Sequence, residues 1–356
     1  MAFVVLDKKK LKDNFEFLDN IFKKNDIKWS VVSKLLCGNK DYIEELLRQG
    51  ISQVCDSRVR NLRIIKEIDS SIETIYIKPP AKRGIKGVVK YADISMNTEL
   101  DTIKLLAKEA KRQNKVHKII IMIELGELRE GIMGEDLLSF YGEVFELSNI
   151  EVVGIGTNFS CLYGVLPNTD KLIQLSLYEQ LIEAKFNRQI PYVSGGSSVV
   201  IPLINQGILP KGVNHFRVGE TLFLGTDVYS NSTYEEMHQD VFRLYSEIIE
   251  LIEKPMQPTG EMGTNVDGHS FEFDDDLIGE TTYRAIIDIG LLDVGEEHVK
   301  PVDKKINFVG ASSDMLVIDL GDNVKNYKVG DLIELEMDYM GVLRIINSRY
   351  IEKRIQ

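Results

Sequence analysis

WSVVSK (29–34), which runs on into LLCGN (35–39), is a short stretch of β-branched and apolar residues closed by a lysine. An ammonium group is costly to leave in an apolar setting. A lysine that ends a core strand therefore reaches solvent, pairs with a carboxylate, or is kept for its amine. Seven further runs share the texture: ISQVCD (51–56), ETIYIK (73–78), ADISMN (92–97), KIIIMIEL (118–125), EVVGIGTN (151–158), IPYVSG (190–195) and VNHFRV (213–218). Between them lie stretches with apolar residues three and four apart, such as NKDYIEELLRQ, DSRVRNLRIIKEI and NTELDTIKLLAKEAKRQ, most of them opened by Asn or Asp as a cap. PPAKRGIKGVVKY, the third connection, shows this least. Eight βα units in a row predict an α/β chain whose first part, over roughly residues 25–225, is a (β/α)8 TIM barrel. A doubly wound open sheet has the same periodicity.

In such a barrel the site sits where the strands end. That rule singles out Lys34, Asp56, Lys78, Asn97, Arg129 in the loop after strand five, Asn158, the turn 194–198 and Arg217. Beyond residue 230 the texture changes. TYEEMHQDVFRLYSEIIELIE (233–253) reads as a helix, and TTYRAIIDIG, KINFVGASSDMLVIDLG and VGDLIELEMDYMGVLRIINSRYI follow, separated by Gly- and Asp-rich turns. The expected organisation is a barrel over residues 1–229 and a smaller, mostly antiparallel β domain over 230–356. Residues 256–280 read as an extended loop, with the acidic run FEFDDD (271–276) solvated.

Composition narrows the function. With 43 basic against 55 acidic residues the formal charge is -12 and there is no basic stripe, which argues against a nucleic-acid partner. No apolar run approaches the roughly 20 residues that span a bilayer, which argues against a membrane role. The N-terminus MAFVVLDKKK does not resemble a signal peptide, and Cys37, Cys55 and Cys161 form no CxxC pair, so a cytoplasmic location is expected. His117, His215, His238, His269 and His298 are scattered without ligand spacing, so no metal site is expected, and His215 on its apolar strand reads as a core residue.

SGGSSVV (194–200) follows strand seven and RVGETLFLG (217–225) follows strand eight, where barrels build phosphate sites from backbone amides. Combined with a lysine on strand one, and without a Walker sequence or GxGxxG, this pattern fits a phosphorylated aldehyde better than a nucleotide. A plain turn reads the same way locally.

Taken in order, VVSKLLCGN (31–39), VCDSRVRNL (54–62), DISMNTE (93–99), IELGELREGI (123–132), GTNFSC (156–161), SGGSSVVIP (194–202), FRVGETLFLG (216–225), IDIGLLDV (287–294) and GASSDMLVIDL (310–320) resemble the alanine racemase superfamily of fold-type III pyridoxal-phosphate enzymes, and within it the alanine/ornithine racemase branch. The resemblance implies pyridoxal 5'-phosphate as cofactor, a small-molecule amino acid as substrate and a homodimer with shared active sites. It implies that Lys34 holds the cofactor and carries a proton on one face of the substrate carbon. Ser197, with the amides around Gly196, Gly219 and Glu220, would hold the phosphate, helped by Tyr339. Arg217 would lie against the pyridine nitrogen, and Asn158 stands where many relatives have a histidine stacked on the ring. Arg129 would face the substrate carboxylate, with Glu124 as its partner.

Two departures from the family pattern matter. Leu291 occupies the position of the catalytic tyrosine, and Cys37 stands where a tyrosine is expected. The second acid/base is then sought among Asp293, Asp314, Cys37 and Tyr163. Asp293 and Asp314 would also attract a side-chain ammonium, which makes ornithine the first expectation for substrate and lysine the second. A decarboxylase of basic amino acids and a non-catalytic cofactor-binding protein are the competing readings.

Overall fold

The computed structural model describes residues 2–264, 268, 270, 273 and 275–356. His269 and part of the acidic run, Phe271, Glu272 and Asp274, lie outside the described residues. The chain divides into two compact units, one of Lys9–Gln239 and one of Met1–Lys8 with Asp240–Gln356.

Strand β1 (Phe3–Leu6) leads into helix α1 (Lys8–Lys24), which buries Leu11, Asn14, Leu18 and Phe22 at helical spacing. The barrel strands then alternate with helices: β2 (Lys28–Val32), α2 (Lys40–Leu47), β3 (Gln53–Asp56), α3 (Val59–Ile68), β4 (Glu73–Tyr76), α4 (Ile85–Tyr91), β5 (Ile94–Asn97), α5 (Leu100–Arg112), β6 (His117–Met122), α6 (Leu137–Phe145), β7 (Ile150–Gly156), α7 (Thr169–Phe186), β8 (Tyr192–Ser197), α8 (Ile201–Asn205), β9 (His215–Val218) and α9 (Glu220–Leu224). Strands β2 to β9 close on themselves, since β2 pairs in parallel with both β3 and β9. The open-sheet alternative is thereby excluded, and all eight expected strands are present.

Closure follows from which side chains can be buried. Val32, Cys55, Ile75, Ile94, Met96, Ile120, Met122 and Val153 meet in one cluster drawn from neighbouring strands, with Tyr192 against it. Each large apolar side chain so buried contributes about 1.5–3 kcal/mol. Caps appear at some helix starts only. Asn39 accepts from Tyr42 N at 3.0 Å and Asn168 from Lys171 N at 2.9 Å. Asn97, expected as a cap, instead turns back to donate to Ser95 O at 2.8 Å.

After the short strands β10 (Thr226–Asp227) and β11 (Ser232–Thr233), the second unit is built on β12 (Phe242–Pro255), 14 residues long. It is joined by β13 (Thr281–Ile287), β14 (Val299–Pro301), β15 (Asn307–Ala311), β16 (Leu316–Asp319), β17 (Leu332–Met337), helix α10 (Tyr339–Asn347) and β18 (Glu352–Ile355). The sheet order is β14-β17-β12-β13-β16-β15, and β1 pairs with both β12 and β18.

Three expectations change here. The segment expected as a helix over 233–253 contains β12: Phe242, Leu244, Ser246 and Ile248 are buried alternately with less buried neighbours, a period of two that the Glu-rich composition conceals. The stretch around Tyr339 forms α10, capped by Asp338, which accepts from Gly341 N at 2.8 Å. Residues 1–8 group with 240–356, because β1 is a strand of the second sheet.

Two histidines are buried neutral in the barrel unit. Burial, and then the nearby Lys115 charge, push His117 down to about 4, while burial followed by the Arg217 and Lys28 charges pushes His215 down to about 3. An unfolded histidine takes up its proton near pH 6.5, so as pH falls from 7 to 5 the unfolded chain binds protons that the folded chain refuses. Each histidine should therefore remove about 2 kcal/mol of stability by pH 5. Urea unfolding at pH 7, 6 and 5 checks this, and His117→Gln should flatten the slope by about half; a slope independent of both residues contradicts it.

Candidate active site

Strand β2 ends at Val32, two residues earlier than the sequence pattern indicated, and Lys34 rides on the single 3-10 turn Ser33–Leu36 that follows, with its side chain exposed. The turn is fastened from below. Ser33 Oγ donates to Asp56 Oδ2 at 2.8 Å, and Asp56, fully buried at the end of β3, also accepts from Arg58 N at 2.8 Å and from Asn61 Nδ2 at 3.1 Å. Burial raises the Asp56 carboxyl above its ordinary range, against the pull of these hydrogen bonds. Asp56 therefore sets the pitch of the lysine turn and the start of α3 together. Cys37 closes the turn in the left-handed region at φ 50°, with its N–H donating to Lys34 O at 3.2 Å.

The turn after β9 lies alongside. A Cβ on Gly219 would come within 3.0 Å of Val32 Cβ and 3.1 Å of Val32 O, so glycine lets this backbone rest closely against the residue two before Lys34. Thr221 N donates to Ser198 Oγ at 3.5 Å, which ties the start of α9 to the turn after β8, where Gly196 has φ +129°. Ser198 makes this tie, while the neighbouring Ser197 is half-buried. Glu220 accepts from Thr226 Oγ1 at 3.4 Å.

Arg217, 4% exposed, points into the barrel. Its Nη1 donates to Ser194 Oγ at 2.5 Å and its Nη2 to Thr157 O at 2.8 Å. Both acceptors are neutral, and burial lowers the guanidinium's pKa. Asn158 follows Thr157. With its amide oriented to match its neighbours, its oxygen accepts from Arg129 Nη2 at 3.1 Å and from Phe159 N at 3.2 Å. Arg129, Asn158 and Arg217 are thus brought together as expected. The expected pairing of Arg129 with Glu124 is corrected: both Arg129 Nε and Nη2 donate to Glu130, which raises the arginine's pKa, and Glu124 Oε1 accepts from Gly126 N at 2.5 Å. The cause is local, because the loop turns Glu124 back on its own backbone.

Glu127 is a residue that the sequence reading missed. Only 3% exposed, its carboxylate accepts five backbone N–H groups: Ser160 at 3.2 Å, Cys161 at 2.7 Å, Leu162 at 2.5 Å, Tyr163 at 3.1 Å and Val165 at 3.0 Å. Burial alone would push this carboxyl up, yet the amides hold it below the usual range. One side chain thereby stitches the loop after β6 to the loop after β7. It places Cys161, and the Tyr163 ring that is 70% exposed, on the face that carries Arg129. Within GELREG no local signal marks it, since its donors come from more than thirty residues downstream.

The remaining candidates belong to the second unit. Asp293 accepts from Ser348 Oγ at 2.7 Å, Leu291 N donates to Ser312 O at 3.0 Å, and Asp314 is exposed in the turn before β16. Tyr339 opens α10. Cys55, in the barrel interior, has its thiol pushed up to about 12 by burial and is no nucleophile. Among the described residues no group of His, Cys, Asp or Glu has the arrangement of a metal site. The donor set at the strand ends consists of an amine, two guanidinium groups and two glycine-bearing turns. It suits an anion that also carries a carbonyl, which is the chemistry of a phosphorylated aldehyde.

Comparison with known proteins agrees with this chemistry. The family described as "Alanine racemase, N-terminal domain" matches residues 6–227. The chain is 40% identical over 353 residues to an ornithine racemase from Acetoanaerobium sticklandii, covering 99% of each chain. It is 30% identical over 350 residues to a lysine racemase from Thermotoga maritima, covering 98% of this chain and 97% of that one. The fold is that of the alanine racemase from Bartonella henselae, whose structure carries covalently bound pyridoxal phosphate; the TM-score is 0.74 at 16% identity, with 100% of this chain and 99% of that chain covered.

A glutamine at position 127 keeps one acceptor oxygen but turns an amide NH2 toward two of the five N–H donors. Glu127→Gln should therefore raise hydrogen exchange across residues 160–165 by about 10- to 100-fold, the loss expected when buried donors are left unmatched. Chymotryptic cleavage at Tyr163 should also speed up. Unchanged exchange in this loop, measured by mass spectrometry, rules out the stitching role.

Proposed function

The chain belongs to the alanine racemase family, and from that premise we propose that it interconverts L- and D-ornithine, with lysine as the second substrate. It is a pyridoxal-phosphate-dependent amino-acid racemase acting on basic amino acids. The observation that carries the structural part of this reading is the lysine turn itself, Lys34 on the single turn Ser33–Leu36 that follows β2, whose last residue Val32 packs against Gly219.

When bound, pyridoxal phosphate supplies an aldehyde that captures an amine and a ring that draws electrons from the carbon beside it. The protein's own groups do the rest. In this reading the Lys34 amine holds the cofactor and then moves a proton to or from the α-carbon on one face. The turns at Gly196 and Ser197, and at Gly219 and Glu220, would hold the phosphate, and the family resemblance adds Tyr339 to this role. Arg217 would face the pyridine nitrogen, where a permanent cation would oppose protonation of the ring and so weaken its withdrawal of electrons. This suits return of the proton to the same carbon. Arg129, held by Glu130 and Asn158, would face the substrate carboxylate, and Asn158 would lie against the ring.

The proton carrier on the other face belongs to Asp293 or Cys37, with Asp314 binding the side-chain ammonium, since the leucine at position 291 cannot move a proton. The working form is taken as a cytoplasmic homodimer with shared sites, acting on a small-molecule amino acid without nucleic-acid or membrane partners.

Incubation of pure L-ornithine should yield optical inversion without release of carbon dioxide, and borohydride should fix the cofactor on the Lys34 peptide. Lys34→Ala should lower racemisation by at least about 10³-fold, the scale of a lost acid/base group. Trapping on another residue, or decarboxylation in place of inversion, contradicts the reading.

A further inference from the structure

Below Arg217 the barrel interior is polar, and every group there is engaged. Ser194 Oγ lies 2.5 Å from Arg217 Nη1 and 2.7 Å from His215 Nδ1. On the other side of the ring, His215 Nε2 lies 2.8 Å from Gln53 Oε1 and 2.8 Å from Ser30 Oγ. Ser30 Oγ donates in turn to Gln53 Oε1, and Gln53 Nε2 donates to Glu73 Oε2 at 2.5 Å. Ser30, Ser194 and His215 are wholly buried and Gln53 is 8% exposed. The Tyr192 ring meets the imidazole edge-on at 5.1 Å, which restricts its rotation.

We propose that Ser194, His215 and Gln53 form a positioning column that runs through the barrel from the Glu73 carboxylate to the Arg217 guanidinium, with His215 held as its Nε2–H tautomer.

The two ends demand this direction independently. A guanidinium can only donate, so Ser194 accepts from Arg217 and its own proton goes to His215 Nδ1. An ionised carboxylate can only accept, so Glu73 turns the Gln53 amide NH2 toward itself and the Gln53 oxygen toward the ring, which must then present Nε2–H. Both requirements select the same tautomer, and the hydrogen bonds align head to tail from cation to anion. A buried guanidinium without a carboxylate beside it is costly, and this alignment lets a distant carboxylate offset part of that cost through polarised neutral groups. Burial, and then the Arg217 and Lys28 charges, keep the imidazole neutral, in accord with a ring that must accept at Nδ1. Nothing in the column reaches substrate. Its effect passes through the orientation of Arg217, and so it rests on the reading in which that guanidinium faces the coenzyme.

Nitrogen NMR of the full-length chain with ¹⁵N-labelled imidazoles tests the column without reference to turnover. The His215 signal is assigned by substituting the other four histidines one at a time, so it does not depend on a His215 variant folding. The expected pattern is a neutral Nε2–H ring, unchanged from pH 5.5 to 8.0. A ring that titrates near pH 6.5, or that carries its proton on Nδ1, overturns the proposal.

Ser194→Ala should lower racemisation kcat by about 10-fold, the scale of a lost hydrogen bond to a charged group, with KM within about twofold, and Ser194→Thr should restore most of it. It should also shift the absorbance of the bound coenzyme. Equal loss in the Ala and Thr variants with an unshifted band overturns a positioning role. If Arg217→Lys leaves the coenzyme band unmoved while the His215 signal keeps its pattern, the column stands and the placement of Arg217 against the coenzyme is wrong.

Discussion

A guanidinium buried at the centre of a barrel constrains everything around it. Arg217 is 4% exposed, and its hydrogen bonds go to Ser194 and to the Thr157 carbonyl. A charge in that position persists only if each donor finds an acceptor, and each acceptor must then be held by something else. Ser194 is held by His215, His215 by Gln53 and Ser30, and Gln53 by Glu73. The apolar cluster formed by Val32, Ile75, Ile94, Met96, Ile120 and Met122 fills the remaining interior. The barrel therefore has two kinds of interior, an apolar one that stabilises closure and a polar one that holds a single cation by hydrogen bonds.

The same division of labour appears at the mouth. Lys34 sits on a turn fixed by Asp56 through Ser33, and Arg129 sits in a loop whose neighbour is gathered by Glu127. In both places a buried carboxylate is spent on backbone or hydroxyl donors and leaves a cation to face outward. Asp56 and Glu127 respond differently to their surroundings. Burial dominates at Asp56 and raises its pKa, whereas five amides outweigh burial at Glu127 and depress it. The first is a hinge pin inside the fold, and the second is the centre around which an otherwise unsupported loop is wound.

Much of this was legible from short-range pattern. The eight runs of β-branched residues are eight strands, and Arg217 on the last of them meets Thr157, which follows β7. The misreadings have a common cause. The helix expected over 233–253 gives way to β12 because propensity is judged locally, whereas the alternate burial of Phe242, Leu244, Ser246 and Ile248 exists only once β1, β13 and β17 lie beside them. The family resemblance pairs Arg129 with Glu124, yet the loop bends Glu124 away and brings Glu130 to the guanidinium. His215 was read as a core histidine, and it is one, but its hydrogen-bonding direction could not be read from a strand.

By itself the amino-acid sequence determined the order and number of barrel strands and the family, because periodicity and motif order are properties of neighbours along the chain. The tertiary structure alone decided which carboxylate serves which donor, that β1 joins the second sheet, and which groups meet the two ring nitrogens of His215. Those outcomes depend on groups tens to hundreds of residues apart meeting in a low-dielectric interior, where one unmatched donor costs as much as a whole element's propensity can supply.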